Sequence, residues 1–410
     1  MQITAEIRSL FRSLRHRNFR LFWYGQLISL TGTWMQTTAQ AWLVMELTHS
    51  PLKLGIVTAL QFAPILLLSF FTGPFIDRFP KRRIIMVCQT VLMLQALTLA
   101  VLVWTGTVQF WHVACLAIVI GIVNTADMPA RQSFIIEMVG REDLMNAIAL
   151  NASIFNGSRA VGPAVAGLLI GTVGTALCFL LNGISFLAVI AGLLLMTVDE
   201  RPRPPQNPYH VVNDVLEGIR SIRSTPAVMV TILLVSVVSI FGVNFNVLVP
   251  VFARADLHQE AEGFGLLMSS FGIGALIGAI TLTLLSRRGP RTEYLLGSGI
   301  GLSLFLLLLG LQHSLALTSL LLAAAGWCVV TFFGVANTTI QLNSEDRLRG
   351  RVMSVYTLSF AGLSPFGSLF AGSLSHWVRA PLTFVLSGLI TGLLFLFALS
   401  KHLKKRNDRG

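Results

Sequence analysis

The chain has 410 residues, of which 54% are hydrophobic and only 12% are charged, and its formal net charge is +12. A soluble domain carries about 25% charged residues, so this composition excludes an ordinary water-soluble protein of this size. Apolar runs of about 20 residues recur along the whole length, and each can cross the hydrocarbon core only as a helix, which predicts an all-α membrane protein.

Twelve membrane spans are predicted in chain order. They cover residues 20–46, 53–76, 83–105, 109–134, 144–170, 175–198, 227–252, 263–286, 292–312, 315–341, 350–376 and 380–400. A polar, proline-rich stretch separates the first six spans from the last six. The expected units are therefore an N-terminal bundle of six helices (1–198), a cytoplasmic linker (199–226) and a C-terminal bundle of six helices (227–410).

The first span follows a basic segment, which raises the alternative of a cleavable signal peptide. The apolar run continues far beyond a short signal core and lacks a clear small-residue cleavage site, so we expect a retained span. In the linker, apolar and polar positions alternate with helical period from Val211 to Arg223. This pattern predicts a short amphipathic helix along the membrane interface.

Nearly all Lys and Arg residues fall in the N-terminal tail, the C-terminal tail and every second loop. Cytoplasmic loops carry this excess, so both termini are predicted to be cytoplasmic. Anionic lipid explains basic residues placed in this way. We therefore expect a lipid bilayer as the partner and no nucleic acid.

The two halves echo each other in sequence. Residues 142–167 and 346–372 both run from a charged loop through a helical pattern to a Pro and then a Gly. Such a parallel repeat is typical of transporters in which two six-helix bundles enclose a cavity at the membrane midplane.

The loop after the second span has the most specific pattern. Gly73, Asp77 and Arg78 are followed by the basic cluster Lys81, Arg82 and Arg83. This stretch resembles motif A of the major facilitator superfamily, except that Pro80 stands where Gly is usual. The resemblance implies a gating role, in which Asp77 caps the N-terminus of a neighbouring helix. The simpler alternative is an ordinary basic cytoplasmic loop.

The cytoplasmic end of the fourth span carries Asp127, Pro129, Arg131 and Gln132. The segment is similar to one found in the enterobactin-exporter and macrolide-efflux branch of the superfamily. An acid at membrane depth is costly unless it is paired. The spacing favours Arg131 as its partner and the resemblance favours Arg78, and we interpret Asp127 and Arg131 as a charge relay. The alternative is a local ion pair between positions i and i+4.

On the fifth span, Gly162, Pro163 and Gly167 partly match motif C, which marks exporters and antiporters of the superfamily. Ala166 replaces one Gly of the motif, and Ser158 stands at its upstream position. The small residues would let one bundle pack closely against the other. Ordinary packing of Gly and Ala between helices is the alternative.

Arg159 is the lone cation within a predicted span. We expect it either to bind a buried carbonyl or acidic partner, or to line the cavity. Amide side chains within the spans are further candidates for the cavity wall, although each could instead form a hydrogen bond between helices. They are Gln26, Gln36, Gln40, Asn124, Asn151, Asn156, Asn244, Asn246 and Asn337.

The sequence contains no phosphate-binding Gly-x-x-x-x-Gly-Lys-Ser/Thr motif, no cluster of metal-ligating residues at membrane depth and no paired nucleophile and base. We therefore expect no catalytic residues, no metal and no cofactor.

The resemblance covers essentially the full chain and implies a secondary transporter of a bacterial inner membrane. We expect it to export a small amphipathic molecule (a drug, siderophore or metabolite) by alternating access as a monomer, with protons as the coupling ion. The alternatives are an importer, or a non-transporting receptor or assembly partner built on a transporter fold.

Overall fold

The computed structural model describes residues 11–197, 211–286, 291–345 and 348–407, and the regular structure within these residues is helical. A 3-10 turn (Arg12–Arg15) precedes the first helix, and π-helical turns occupy Val238–Gly242 and Leu358–Gly362. The helices are α1 (Arg17–Thr48), α2 (Pro51–Arg78), α3 (Lys81–Trp104), α4 (Phe110–Val139), α5 (Leu144–Val173), α6 (Thr175–Leu194), α7 (Val211–Ser224), α8 (Pro226–Val237), α9 (Phe245–Ala255), α10 (Ala261–Ser286), α11 (Thr292–Leu309), α12 (Leu315–Asn343), α13 (Arg349–Thr357) and α14 (Ser364–Asn407).

Short connections with local end signals separate the helices. The Ser50 side chain accepts a hydrogen bond from the Lys53 amide at 3.4 Å, and Pro51 occupies the first position of α2, where a missing N–H is harmless. Gly140 ends α4 with a φ of 71°. Arg379, with a φ of 69° and a ψ of 161°, breaks α14 into two segments.

The helix array has two ends, which differ in their residues. The end at which α1 and α3 begin is called the basic face, because Arg17, Lys81 and Arg82 lie there. The end at which α1 ends and α4 begins, at Thr48 and Phe110, is called the opposite face.

Within the described residues, nine segments are long and apolar enough to cross a membrane. Helices α1 and α5 are not among them, because amides and Arg159 reduce their apolar character. Pro226–Ala255 counts as one segment, and so does Arg349–Lys401 with its break at Arg379. The expected continuous spans 227–252 and 350–376 are each interrupted by a π-helical turn.

The helices before the linker pack mainly among themselves. Helix α1 contacts α5 and α6, α3 contacts α4 and α6, and α2 contacts α4. After the linker, α12 contacts α10 and α11, and α11 also contacts α14. We call α1–α6 the first half and α8–α14 the second half. Helix α7 packs on α13, where Glu217 pairs with Arg351.

Two helix pairs make the main contacts between the halves, α5 with α10 and α2 with α14. Glycines permit close backbone approach at both contacts. A Cβ built on Gly265 of α10 would lie 2.7 Å from the Cα of Gly167 on α5, and one built on Gly372 of α14 would lie 2.9 Å from the Cα of Gly55 on α2. Both contacts lie toward the opposite face, where Trp42 of α1 also stacks on Phe264 of α10 with 5.8 Å between ring centroids.

Candidate functional site

A cavity of about 360 Å³ lies among helices α1–α6, and all of its described lining residues belong to the first half. Phe22, Leu30, Ile120, Phe155 and other apolar residues form part of the wall. Amide side chains form much of the remainder, namely Gln26, Gln36, Gln40, Gln61, Gln95, Asn124, Gln132, Asn151 and Asn182. This volume suits a drug-sized molecule, and the wall combines apolar surface with many hydrogen-bonding groups.

One ion pair lies in the wall of this cavity. Asp127 of α4 is 3% exposed, and its Oδ2 lies 2.6 Å from Nε of Arg131, one helical turn further on. Gln89 of α3 donates from Nε2 to the other carboxylate oxygen at 3.2 Å, and Arg131 donates from Nη1 to Oε1 of Gln26 on α1. The pair therefore connects three helices of the first half and leaves the wall without net charge at this point.

A second hydrogen-bonded group crosses the cavity wall. Asn182 of α6 donates to Oε1 of Gln36 on α1 at 2.6 Å, and Gln36 donates to Oε1 of Gln95 on α3 at 2.9 Å. All three side chains are buried. Buried amides joined in this way fix the relative positions of the three helices.

A smaller cavity of about 210 Å³ adjoins the first and shares several of its lining residues. Gln40 donates to Gln61 across it at 3.4 Å. Asn246 of α9 also lines it, so this cavity extends to a residue of the second half.

Arg159 of α5 lies between two aromatic rings. Its guanidinium carbon is 5.2 Å from the ring centroid of Trp34 on α1 and 4.5 Å from that of Phe271 on α10. The side chain therefore bridges the two halves through cation–π contacts. Ring faces are an environment that the sequence interpretation did not consider, and Arg159 is not a lining residue of either cavity described above.

The other predicted amides are distributed more widely. Asn156 donates to the carbonyl of Ala152 at 2.9 Å within α5, and Asn244 donates to the carbonyl of Ile240 at 2.7 Å beside the first π-helical turn. Asn337 of α12 accepts a hydrogen bond from Gln341 at 2.5 Å. In contrast, Gln26, Gln36, Asn124 and Asn151 meet at the larger cavity.

The basic cluster at the start of α3 connects helices at the basic face. Lys81 pairs with Glu137 of α4, and Arg82 donates to the carbonyls of Leu193 and Leu194 at the end of α6, at 2.7 and 3.3 Å. A cation at a helix C-terminus is favoured by the helix dipole. Arg83 lies in the same first turn of α3. The backbones of Gly73, Asp77 and Arg78 belong to α2, but their side chains lie outside the described residues.

The partial motif C faces two neighbours. Gly162 packs against α1, where an added Cβ would lie 2.9 Å from the carbonyl oxygen of Thr31. Pro163 is inside α5, and its carbonyl oxygen would lie 2.6 Å from a Cβ on Gly265. Gly167 approaches the same glycine. Pro163 and Gly167 therefore lie at the contact between the halves, Gly162 lies at a contact within the first half, and none of the three is among the lining residues of the two cavities.

Three amides that complete the cavity were missing from the sequence-based candidates: Gln61, Gln95 and Asn182. Each lies within an apolar run, which is the same signal that pointed to Gln26 and Asn124. Gln89, which donates to Asp127, carries that signal too.

The cavity offers amides, hydroxyls and one ion pair to a bound molecule. Among the described residues, no group of three His, Cys, Asp or Glu side chains could hold a metal ion. The arrangement suits reversible binding of a small molecule.

Comparison with known proteins places this arrangement among membrane transporters. A family described as "Transmembrane secretion effector" matches residues 8–408. The chain is 26% identical over 390 residues to the multidrug efflux pump Tap of Mycolicibacterium fortuitum, with 92% of this chain and 94% of that protein covered.

Two siderophore transporters are similar to the same degree. The staphyloferrin A transporter of Staphylococcus aureus is 25% identical, with 91% of this chain and 93% of that protein covered. The enterobactin exporter EntS of Shigella boydii is 25% identical, with 94% and 92% covered. In fold, the chain is similar to a bacterial homologue of the human lysosomal transporter Spinster, with a TM-score of 0.74, 13% identity and coverage of 94% and 98%.

Proposed function

Because this chain belongs to the transmembrane secretion effectors of the major facilitator superfamily, which are transporters and not enzymes, we propose that it exports a small amphipathic molecule in exchange for protons. The observation that carries the proposal is the amide-lined cavity with its buried Asp127–Arg131 pair. The names of the relatives include an efflux pump and an exporter, which favours export over import.

Asp127 is the proposed coupling residue. When its carboxylate is charged, Arg131 is held beside it and donates to Gln26. Protonation of the carboxyl weakens its attraction for Arg131 and so loosens a contact among α1, α3 and α4. Because Gln26, Asp127 and Arg131 all line the cavity, protonation of Asp127 alters the wall that a bound molecule contacts.

Alternating access is proposed to operate through the two contacts between the halves. The glycine contacts of α5 with α10 and of α2 with α14 hold the halves together toward the opposite face. Their separation, together with approach of the halves at the basic face, would expose the cavity to the other side. The motif A loop, with Asp77, is the proposed gate at the basic face.

The proposed arrangement is a monomer with twelve spans in two six-helix bundles, 1–198 and 227–410, joined by the linker 199–226. The basic face would be cytoplasmic, with both termini on that side, in a bacterial inner membrane. In this arrangement α8 and α9 form one span, and α14 contributes to two spans that meet at Arg379.

The test uses inside-out vesicles with an imposed pH gradient, acid inside. Enterobactin, staphyloferrin A and the neutral dye Nile red serve as probes, the first two because relatives are named for them. We expect uptake of at least one probe that collapses when an ionophore removes the gradient. Uptake that ignores the gradient would remove the proton-coupling proposal, and absence of uptake for every probe would count against export of these classes.

A further inference from the structure

The direction of one hydrogen bond fixes what Gln26 can offer to a ligand. Arginine carries donors and no acceptor, so the side-chain oxygen of Gln26 must face Arg131, as it does. The amide nitrogen therefore points elsewhere. This Nε2 is buried and has no hydrogen-bond partner, although Gln26 is 2% exposed and lies in the cavity wall.

Gln95 is the last residue of the hydrogen-bonded group formed by Asn182, Gln36 and Gln95, and it also has an unused amide nitrogen. Its oxygen accepts from Gln36, while its own Nε2 is buried without a partner. Gln95 is 4% exposed and also lines the cavity. Each network therefore ends at a residue that lines the same cavity and whose amide N–H has no partner.

The charges of the cavity cancel. Among its described lining residues, Asp127 is the one carboxylate and Arg131 the one guanidinium, and they are paired at 2.6 Å. Gln89 further satisfies the carboxylate. A cationic ligand would find no free carboxylate there, and an anionic ligand would have to break the existing pair.

Unpaired buried donors are costly, and a ligand that supplies acceptor oxygens removes that cost. We propose that the larger cavity selects electrically neutral molecules with strong hydrogen-bond acceptors, which contact Nε2 of Gln26 and of Gln95, over lipophilic cations of the same size. The inference rests on the proposed function for its biological meaning, but it concerns binding alone and does not require proton coupling.

Triphenylphosphine oxide and methyltriphenylphosphonium form a suitable pair of probes. Both carry three phenyl rings on phosphorus. The oxide is neutral and has a phosphoryl oxygen that accepts hydrogen bonds, whereas the phosphonium is a cation with a methyl group in place of that oxygen. Equilibrium dialysis of the purified full-length protein in micelles, with protein-free micelles as background, measures both affinities. We expect the oxide to bind about tenfold more tightly, as one or two hydrogen bonds to unpaired donors would give.

The decisive variant is Gln26→Glu, which keeps an acceptor for Arg131 but replaces the N–H donor by a second oxygen. It should abolish the preference for the oxide or reverse it toward the phosphonium. Gln95→Glu should act in the same direction. Gln109→Glu is the matched control, because Gln109 lies outside the cavity and its oxygen accepts from Trp111, so the preference should be unchanged.

Equal binding of both probes, tighter binding of the phosphonium, or no binding of either would each overturn the inference. A preference that survives in both cavity variants would overturn it as well. A variant that does not elute as a single species in gel filtration is replaced by Gln26→Met, which must lose the preference for the oxide. Gradient-driven uptake in vesicles is measured separately. A protein that shows proton-coupled uptake without this selectivity would overturn only this inference, and one that shows the selectivity without coupled uptake would overturn only the proposed function.

Discussion

At the scale of single residues, substitutions in the Asp127–Arg131 pair should affect stability and transport differently. Both groups lie in the cavity wall, and the carboxylate is almost fully buried. Removing one member of a buried ion pair leaves an uncompensated charge, whereas removing both together is often nearly neutral.

Asp127→Asn should therefore destabilise the protein by about 3–5 kcal/mol, and the double variant Asp127→Asn with Arg131→Gln should recover most of that loss. Neither variant should show gradient-dependent uptake, because the titratable group is absent from both. Thermal unfolding of the purified proteins and uptake into vesicles separate the two effects. Proton-coupled uptake by the double variant would show that the coupling carboxylate lies elsewhere.

A second carboxylate, Asp256, lies beyond α9 at the opposite face and outside the spanning segments. It is 6% exposed on its side chain, one oxygen lies 3.1 Å from Nη2 of Arg379, and the other oxygen is buried without a partner. Burial raises the pKa of Asp256, and the nearby Arg379, His258 and His313 oppose that rise without cancelling it. The folded protein therefore binds this proton more tightly than the unfolded chain does.

The stability that Asp256 contributes is fully present below the ordinary Asp pKa of about 3.9 and is lost as the pH rises through the raised pKa of the folded state. The Tm of the parent should therefore fall as the pH rises through this pKa. Asp256→Asn should make that fall smaller and should not lower the Tm at pH 7. Arg379→Gln should lower it there, because the buried carboxylate then loses its partner. Differential scanning fluorimetry from pH 4 to pH 8 checks this, with the exposed Glu142→Gln as control; a Tm of Asp256→Asn well below that of the parent at pH 7 would contradict it.

The amide residues in the predicted spans identified part of the cavity wall. Which of them line the cavity depends on the packing of the helices. Gln26, Gln36, Asn124 and Asn151 were identifiable because a buried amide in lipid needs a reason. The same property could not separate them from Asn156, which satisfies its amide within its own helix. Nor could a sequence indicate that Arg159 would lie between Trp34 and Phe271, since those rings come from helices far apart in the chain.

At the scale of helices, close approach between α5 and α10 depends on glycine. Gly265 faces Gly167 and the carbonyl of Pro163, so a larger side chain there cannot fit without separating the helices. Such contacts in membranes are stabilised by packing and not by a hydrophobic effect, because lipid is as apolar as the helix surface.

Gly265→Val should weaken closure at the opposite face. The readout is labelling of a cysteine at Gln40, in the wall of both cavities, by a membrane-impermeant maleimide added from that face in a background without native cysteines. We expect several-fold faster labelling than in the parent. Gly157→Val on α5 is the control, because an added Cβ there meets nothing within 4 Å. Equal labelling rates in all three proteins would exclude this glycine from closure.

The helices themselves were largely predictable, since apolar runs bounded by polar loops determine them. The π-helical turns were not, because Val238–Gly242 and Leu358–Gly362 lie within apolar sequence that would also suit a regular α-helix. Tertiary contact rather than local propensity decides such turns: Gly362 packs near Leu66 of α2, and Gly242 near Leu302 of α11. The break at Arg379, in contrast, falls between the expected spans 350–376 and 380–400.

At the scale of the whole molecule, the pseudo-repeat predicts two six-helix bundles and the basic loops predict cytoplasmic termini, and the family match agrees with the superfamily indicated by motif A. The sequence could not indicate that the larger cavity would belong to one half. Its lining residues run from Phe22 to Phe186, whereas Asn244 and Asn337 of the second half are bound to their own helices.

If the halves rock against each other, a bond across the closed end should stop transport. Cysteines at Gly55 and Gly372 would face each other across this contact. Because a Cβ on either glycine falls 2.9–3.0 Å from the Cα of the other, α2 and α14 must move slightly apart to reach the Cβ–Cβ separation of about 3.8 Å that a disulfide needs. We expect oxidation to abolish probe uptake and a reductant to restore it, with each single variant insensitive to oxidant. Undiminished uptake by the fully cross-linked protein would contradict alternating access through this contact.

The placement of the π-helical turns has a further consequence for how such a protein diversifies. Both turns lie after the linker, in helices that pack against the first half, while the described helices α1–α6 contain none. A turn with one extra residue is a natural point for a helix to bend or shift its register. If the larger cavity selects the cargo and the π-helical turns let the second half bend, recombination within the linker should exchange one property between related genes while leaving the other intact.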